Sequence, residues 1–196
     1  MATTRRIGAE DSATRAALLD AALQLMVDEG YAAVTSRRVA AKAGLKPQLV
    51  HYYFRTMDDL FIALVRRGAE QNLARQARAL ASPQPLQAFW ELSNDPAGTK
   101  LYMELSALAN HRKAIRSELA SYAEEFRRLQ ARALGRVFED AGIDPDEYPT
   151  EAVLVFLTSV SQVLGLEEAL GMTMGHEETR AVVERFLSRA LSGRTA

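Results

Sequence analysis

Residues Thr35–Thr56 read TSRRVAAKAGLKPQLVHYYFRT, and the fold turns on how this stretch is understood. Its spacing predicts two short helices joined by a tight turn. Thr35 stands where an N-cap hydroxyl would accept a hydrogen bond from an orphan N–H of the first turn. Val39, Ala40 and Ala43 follow as a short apolar face, and Gly44 suits the left-handed stop after a helix. Pro47 fits the first position of the next helix, where a missing N–H costs nothing. Leu49, Val50 and Tyr53 then point inward, and Lys46, Gln48, His51 and Tyr52 outward. Between Tyr31 and Met57 lie five basic residues (Arg37, Arg38, Lys42, Lys46, Arg55) and no Asp or Glu. A basic, aromatic helix pair free of acid is what a reader of the DNA major groove requires. Two small packed helices with a solvated basic face are the plainer alternative.

The rest of the composition frames this pair. Of 196 residues, 48% are hydrophobic and 25% charged, which matches a folded globular chain and not a disordered one. The net charge of −1 hides an asymmetry. Residues 1–56 hold eight of the 24 basic groups and five of the 25 acidic ones, so this head is +3 and the remainder −4. A basic head on an acidic body suggests that one end meets a polyanion. The absence of cysteine excludes disulfides and thiolate chemistry and suits a reducing cytosol. The N-terminus, MATTRRIGAEDS, has arginines but no apolar core, so it does not read as a signal peptide. The most apolar run, Ala152–Leu166, is interrupted by Thr158, Ser159, Ser161 and Gln162 and falls short of a membrane span. A cytoplasmic protein with no membrane partner is expected.

Along the chain, residues 1–11 read as an arm, and Arg5 and Arg6 within it as a tail more than as a minor-groove reader. A first helix starts near Ser12–Thr14 and ends at Gly30, with Leu18, Ala22, Leu25 and Met26 at helical spacing. After the helix pair, Thr56 and Asp59 form a shortened capping box that opens a helix reaching about Leu80. Pro85–Leu92 is a short helix, Asn94–Gly98 a turn cluster, and Lys100–Asn110 another helix. A long helix from about Arg112 to Ala141 carries the stripe Ile115, Leu119, Tyr122, Phe126, Leu129, Ala133, Val137. Residues 150–172 form a helix so apolar all round that burial on several sides is expected. A last helix spans about Glu177–Leu191. The fold class is therefore all-α: a three-helix head over residues 1–56, then a larger helical body over 57–196.

With these pieces in order, the N-terminal third resembles the DNA-binding domain of the TetR family of bacterial transcriptional regulators. The matching segments are LLDAALQLMVDEGYAAVTSRRVAAKAGL, the aromatic cluster VHYYF and then RTMDDL, which together cover roughly Thr14–Val65. Three positions depart from the family pattern. Lys46 stands where a Ser or Thr usually caps the recognition helix. His51 and Tyr53 exchange the common Tyr and His of the aromatic cluster. Met57 replaces a Lys that usually reaches a phosphate, and Arg55 is near enough in sequence to take its place.

The DNA-binding set read from the residues is Thr35, Arg37, Arg38, Lys46, Pro47, Gln48, His51, Tyr52, Tyr53 and Arg55. Gln48 can pair bidentately with an adenine edge, and Lys46 can donate to guanine or to a phosphate. The tyrosine hydroxyls and the arginines suit phosphates, which position without reading sequence. One such helix reads too few bases for useful specificity, so a twofold homodimer with recognition helices about 34 Å apart is expected. The last two helices are its natural interface, because 150–172 has more apolar surface than one bundle can bury and Val183, Phe186, Leu187 and Ala190 add a second stripe; closing the monomer core is the plainer alternative.

The resemblance further implies a body that binds a small effector and a fourth helix that swings the heads. An apolar, aromatic wall of Phe89, Trp90, Tyr102, Met103, Tyr122, Phe126 and Phe156 is expected, with Gln162, Asn110 or Thr158 as polar anchors. Such a wall suits a hydrophobic effector. A dimeric repressor released by that effector is the function implied. An architectural DNA binder without an effector is the first rival. An all-α enzyme is the second, and the sequence shows neither HExxH around His176 nor a phosphate loop nor GxSxG. No cofactor and no metal are expected.

Overall fold

The computed structural model describes residues 12–192. Every regular element among them is helical: α1 (Ala13–Glu29), α2 (Ser36–Lys42), α3 (Pro47–Tyr53), α4 (Met57–Leu80), α5 (Pro85–Ser93), α6 (Pro96–His111), α7 (Lys113–Ala141), α8 (Thr150–Ala169) and α9 (His176–Ser192), with a 3-10 turn at Tyr31–Ala33. The arm at 1–11, including Arg5 and Arg6, lies outside the described residues, as does the side chain of Ala190.

The chain divides into two compact units. One comprises residues up to Glu70 together with Leu101–Ala120, and the other Gln71–Lys100 with the residues from Ser121 on. This partition differs from a cut at residue 56, because the first half of α4 and most of α6 group with the head.

In the first unit, α1 begins on Ser12, whose hydroxyl accepts from the Arg15 N–H at 3.1 Å. It buries Leu18, Ala22, Leu25 and Met26, the stripe that its sequence spacing foretells, and Leu19 and Ala21 beside them. Thr56 opens α4 with a reciprocal capping box: Asp59 N–H donates to its hydroxyl at 3.1 Å, and Thr56 N–H to the Asp59 carboxylate at 3.0 Å. Leu60, Phe61, Leu64 and Val65 are buried behind that cap. Arg67 ties α4 to α1, pairing with Asp20 and donating to the Ala16 carbonyl at 3.2 Å.

The second unit has a core of Leu86, Phe89 and Trp90 from α5, Leu134 and Phe138 from α7, Val153, Leu154, Leu157 and Leu164 from α8, and Val183 and Leu187 from α9. Each such side chain contributes roughly 1.5–3 kcal/mol by leaving water. Two corrections follow. The buried line of α7 passes through Gln130, Leu134 and Phe138, whereas Leu129 is exposed and Ala133 and Val137 only half-buried. Gln130 is buried and donates to the Gln76 side chain at 2.7 Å, and this polar residue breaks the apolar stripe as read from sequence. Val183 and Leu187, read as interface residues, are used in the core of their own chain.

Helix α6 also starts earlier than its apolar residues suggest. Pro96 occupies the first turn and the Thr99 N–H donates to the Asp95 carbonyl at 3.0 Å, so only Asn94 and Asp95 separate α5 from α6. The α8–α9 junction is closed by His176, which is buried and lies 2.8 Å from Glu167 through Nε2, while Arg180 pairs with Glu168.

Helix α8 corrects a further expectation. By length and composition alone it is apolar enough to cross a membrane, contrary to the sequence reading, yet five of its 20 residues are buried within the chain. Val153, Leu154, Leu157, Ser161 and Leu164 face the core. Val155, Phe156, Val163 and Leu166 face outward, so the helix is not buried on several sides by its own chain.

Where α8 passes α6 the approach is close. A Cβ built on Gly165 would lie 2.7 Å from Thr99 Cγ2 and 3.0 Å from its Oγ1. Gly165→Ala is therefore predicted to destabilise the chain by about 1–3 kcal/mol through overpacking, against the roughly 1 kcal/mol that Ala normally gains over Gly in a helix. Urea midpoints check it: adding Thr99→Ala should restore stability, and a single Gly165→Ala variant more stable than wild type would contradict the packing argument.

Candidate nucleic-acid interface

Helix α2 starts at Thr35, whose hydroxyl accepts from the Arg38 N–H at 3.4 Å. It ends in a paired backbone closure: Leu45 N–H donates to the Ala40 carbonyl at 2.9 Å and Gly44 N–H to Ala41 at 3.1 Å. Gly44 has φ +67°, the left-handed conformation this closure needs. Three residues on, Pro47 opens α3, and Lys46 at its N-cap makes no side-chain capping bond. That leaves the Lys46 ammonium available at the N-terminal end of the helix.

The two faces of α3 separate cleanly. Val50 and the adjoining Phe54 are buried, at 1% and 2% exposure, and Leu49 and Tyr53 are half-buried. Lys46, Pro47, Gln48, His51, Tyr52 and Arg55 are exposed. Tyr52 and Tyr53 meet edge to face with centroids 5.0 Å apart, which limits their rotation. The guanidinium of Arg15 on α1 lies 5.2 Å from the centre of the Phe54 ring. Phe54 is thus core, while Tyr53 stands between core and surface.

The cations are not equivalent. Arg38 pairs with Glu29 at 2.5 Å and Lys42 with Asp28 at 3.3 Å. Asp28 and Glu29 end α1, where carboxylates oppose the helix dipole, and these two cations offset that charge. The hydrogen bond from Arg38 holds Glu29 below its ordinary pKa. The pair therefore persists above the usual carboxylate range and is lost as pH falls through the lowered value. Arg37, Lys46 and Arg55 have no acidic partner within 4 Å among the described residues, and they carry the uncompensated charge. The spacing of Arg38 and Lys42, four apart on one helix face, is the sequence signal for two facing acids that a count of basic residues passes over.

The residues read as an effector wall lie in different settings. Phe89 and Trp90 are locked in the core of the second unit, whereas Phe156 and Gln162 face outward on α8. Tyr122 and Phe126 are half-buried on α7. Tyr102, 45% exposed, and Met103 belong to the first unit. Thr158 donates to the Leu154 carbonyl of its own helix at 2.7 Å, and Asn110 is exposed. A cleft of about 530 Å³ does lie in the second unit, on other residues. Leu86, Phe138, Val153 and Leu187 form its floor, Ile143, Tyr148 and Phe186 its walls, and Asp144, Glu147 and Arg185 are charged groups along it. Tyr148 and Phe186 have centroids 6.0 Å apart. This cleft depends on the 142–149 loop meeting α9, which no local sequence pattern announces.

Comparison with known proteins agrees with this geometry. The family model described as bacterial regulatory proteins, tetR family, matches residues 18–64. The HTH-type transcriptional regulator BetI of Rhizobium meliloti is 46% identical over 52 residues, 26% of each chain, so the match spans about a quarter of that relative. A solved structure from Rhodococcus sp. RHA1, described as that of a transcriptional regulator, shares the fold with a TM-score of 0.71 at 20% identity. It covers 93% of this chain and 100% of that one. A regulator from Saccharomonospora viridis, solved in complex with choline, has a TM-score of 0.71 at 17% identity over 89% and 95% of the two chains. Residues 18–64, which contain the α2–α3 helix-turn-helix, thus match the DNA-binding domain of the tetR family of bacterial regulatory proteins.

Proposed function

We propose that the protein is a dimeric, ligand-responsive repressor that grips a palindromic operator with two copies of α3 and releases it when a small hydrophobic effector binds. The observation that carries this reading is the acid-free outer face of α3, where Lys46, Gln48, His51 and Tyr52 are exposed over a fixed core of Val50 and Phe54. On this reading Gln48 and His51 address base edges, while Arg37, Tyr52, Tyr53 and Arg55 address phosphates. Arg55 takes the phosphate that Met57 cannot hold. Thr35 and Pro47 act through the helix starts they set. Arg38, bound to Glu29, is a weaker phosphate ligand than its position suggests.

The dimer reading is supported by α8. Ala152, Val155, Phe156, Ser159, Gln162, Val163 and Leu166 recur at three- and four-residue steps along its exposed side. A largely apolar stripe of this kind, broken by Ser159 and Gln162, is what a twofold helix pair buries. The effector is assigned to the cleft of the second unit, whose size lies in the 300–1,000 Å³ range of small-molecule sites. That a regulator of the same fold holds choline supports a small-molecule role for this body. A regulator that must reach DNA acts in the cytoplasm, and no catalytic step is ascribed to it.

The test is an electrophoretic shift with DNA flanking the protein's own gene, repeated with candidate effectors. A specific shift that an apolar compound abolishes is the expected result. A shift that no compound alters would favour an effector-independent architectural role, and no specific shift at moderate salt would contradict operator binding.

A further inference from the structure

We infer that Glu104, on α6, is a positioning residue for the helix-turn-helix: its carboxylate fixes the corner where α1 hands over to α2, and so sets how α3 is presented to DNA. The inference rests on the DNA-binding role of α2–α3. The corner is short, Gly30–Val34 between the last residue of α1 and the cap of α2. Most of its amides bond locally: Gly30 to the Met26 carbonyl, Ala33 to Gly30, and Val34 to Tyr31, all at 3.0–3.1 Å. The Tyr31 amide is satisfied from elsewhere, donating to Glu104 Oε2 at 2.7 Å across 73 residues of sequence. A hydrogen bond to a carboxylate is roughly twice as strong as one between neutral groups.

Gly30 makes room for this contact. Its φ of 86° and ψ of 164° place it in a region open essentially to glycine, and an added Cβ would sit 3.4 Å from Glu104 Oε2. Val34 anchors the far end of this corner in the core, while a cleft of about 310 Å³ opens beside it among Tyr31, Thr35, Met57, Phe61, Leu108 and Arg112. At the Tyr31 end, beside that cleft, the Glu104 bond is what satisfies the backbone. Its own helix is fastened nearby. Arg112 pairs with Asp58 and lies 5.5 Å from the centre of the Phe61 ring, and Arg66 on α4 pairs with Glu118 on α7 at 2.6 Å. Any shift of α6 by more than about 1 Å would take the carboxylate out of hydrogen-bonding range, so the corner follows α6.

The experiment uses the full chain with Glu104→Ala and Glu104→Gln substitutions. Operator affinity is measured by fluorescence anisotropy at several salt concentrations, alongside thermal melts and amide hydrogen exchange. Glu104→Ala should weaken operator binding roughly 5- to 150-fold, the range of a typical coupling between sites. The salt slope should not change, because no phosphate contact is removed. Exchange should quicken at the Tyr31 amide and not in the buried turns of α1. Glu104→Gln, whose amide oxygen still accepts, should recover most of the affinity. Wild-type affinity in Glu104→Ala, or a loss accounted for by its unfolded fraction, would overturn the inference, and so would an unchanged Tyr31 amide. Should the wild-type chain bind no specific DNA, the DNA-binding reading fails, and the exchange measurement still decides whether Glu104 holds the corner.

Discussion

Phe156→Glu combined with Val163→Glu is expected to leave the chain folded and monomeric, with operator affinity reduced by roughly 10²–10⁴-fold. Both side chains are exposed in the isolated chain, at 56% and 50%, so their replacement removes no core contact. Surface changes of this kind usually alter stability by no more than about 0.5 kcal/mol. In a twofold pairing of α8 they would lie against their symmetry mates, and an unpaired carboxylate buried there costs several kcal/mol. The loss on DNA follows from valency. In the proposed dimer two linked heads would bind the second half-site intramolecularly, and that advantage of about 10²–10⁴ would disappear with the linkage. Sedimentation should report twice 21.6 kDa for wild type and 21.6 kDa for the variant, with matching thermal melts. A variant that remains dimeric would remove α8 from the interface.

The second large effect is expected at the base-reading face. Gln48→Ala with His51→Ala should lower the preference for operator over random DNA by about 10- to 100-fold or more. A good bidentate base contact is worth roughly 1–3 kcal/mol, and each 1.4 kcal/mol is a factor of ten. Binding to random DNA should hardly change, since in the proposed complex Arg37, Tyr52, Tyr53 and Arg55 would still supply phosphate contacts. Competition titrations with operator and random duplexes separate the two quantities. Undiminished discrimination in the double variant would move base reading away from this face.

How much of this was legible in the sequence depends on whether the cause was local. Ser12, Thr35 and Thr56 cap the helices that follow them, Gly44 and Pro47 bracket the turn, and the exposed set on α3 lies where its spacing placed it. These features are decided within a few residues. Features decided by distant partners were not legible. Gln130 hides the buried line of α7 because its partner, Gln76, is 54 positions away. Apolar composition alone does not distinguish a core face from a surface that awaits a partner: α8 read as buried on several sides with an excess left for a partner, and which of its residues face the core was not readable, while Val183 and Leu187 read as interface. The cleft of the second unit needs a loop and a helix to meet, and the aromatic residues chosen for it from sequence are spread over the core, the surface and the other unit. The Glu104 contact spans 73 positions and leaves no periodic trace.

The proposed repressor reads one operator with two copies of α3. Hydroxyl-radical footprinting of the wild-type protein on DNA flanking its own gene tests this most directly. Two protected stretches on one face of the duplex, centred about 34 Å apart, are the predicted result. A single protected stretch, or protection no stronger than on a random fragment at the same salt, would contradict it.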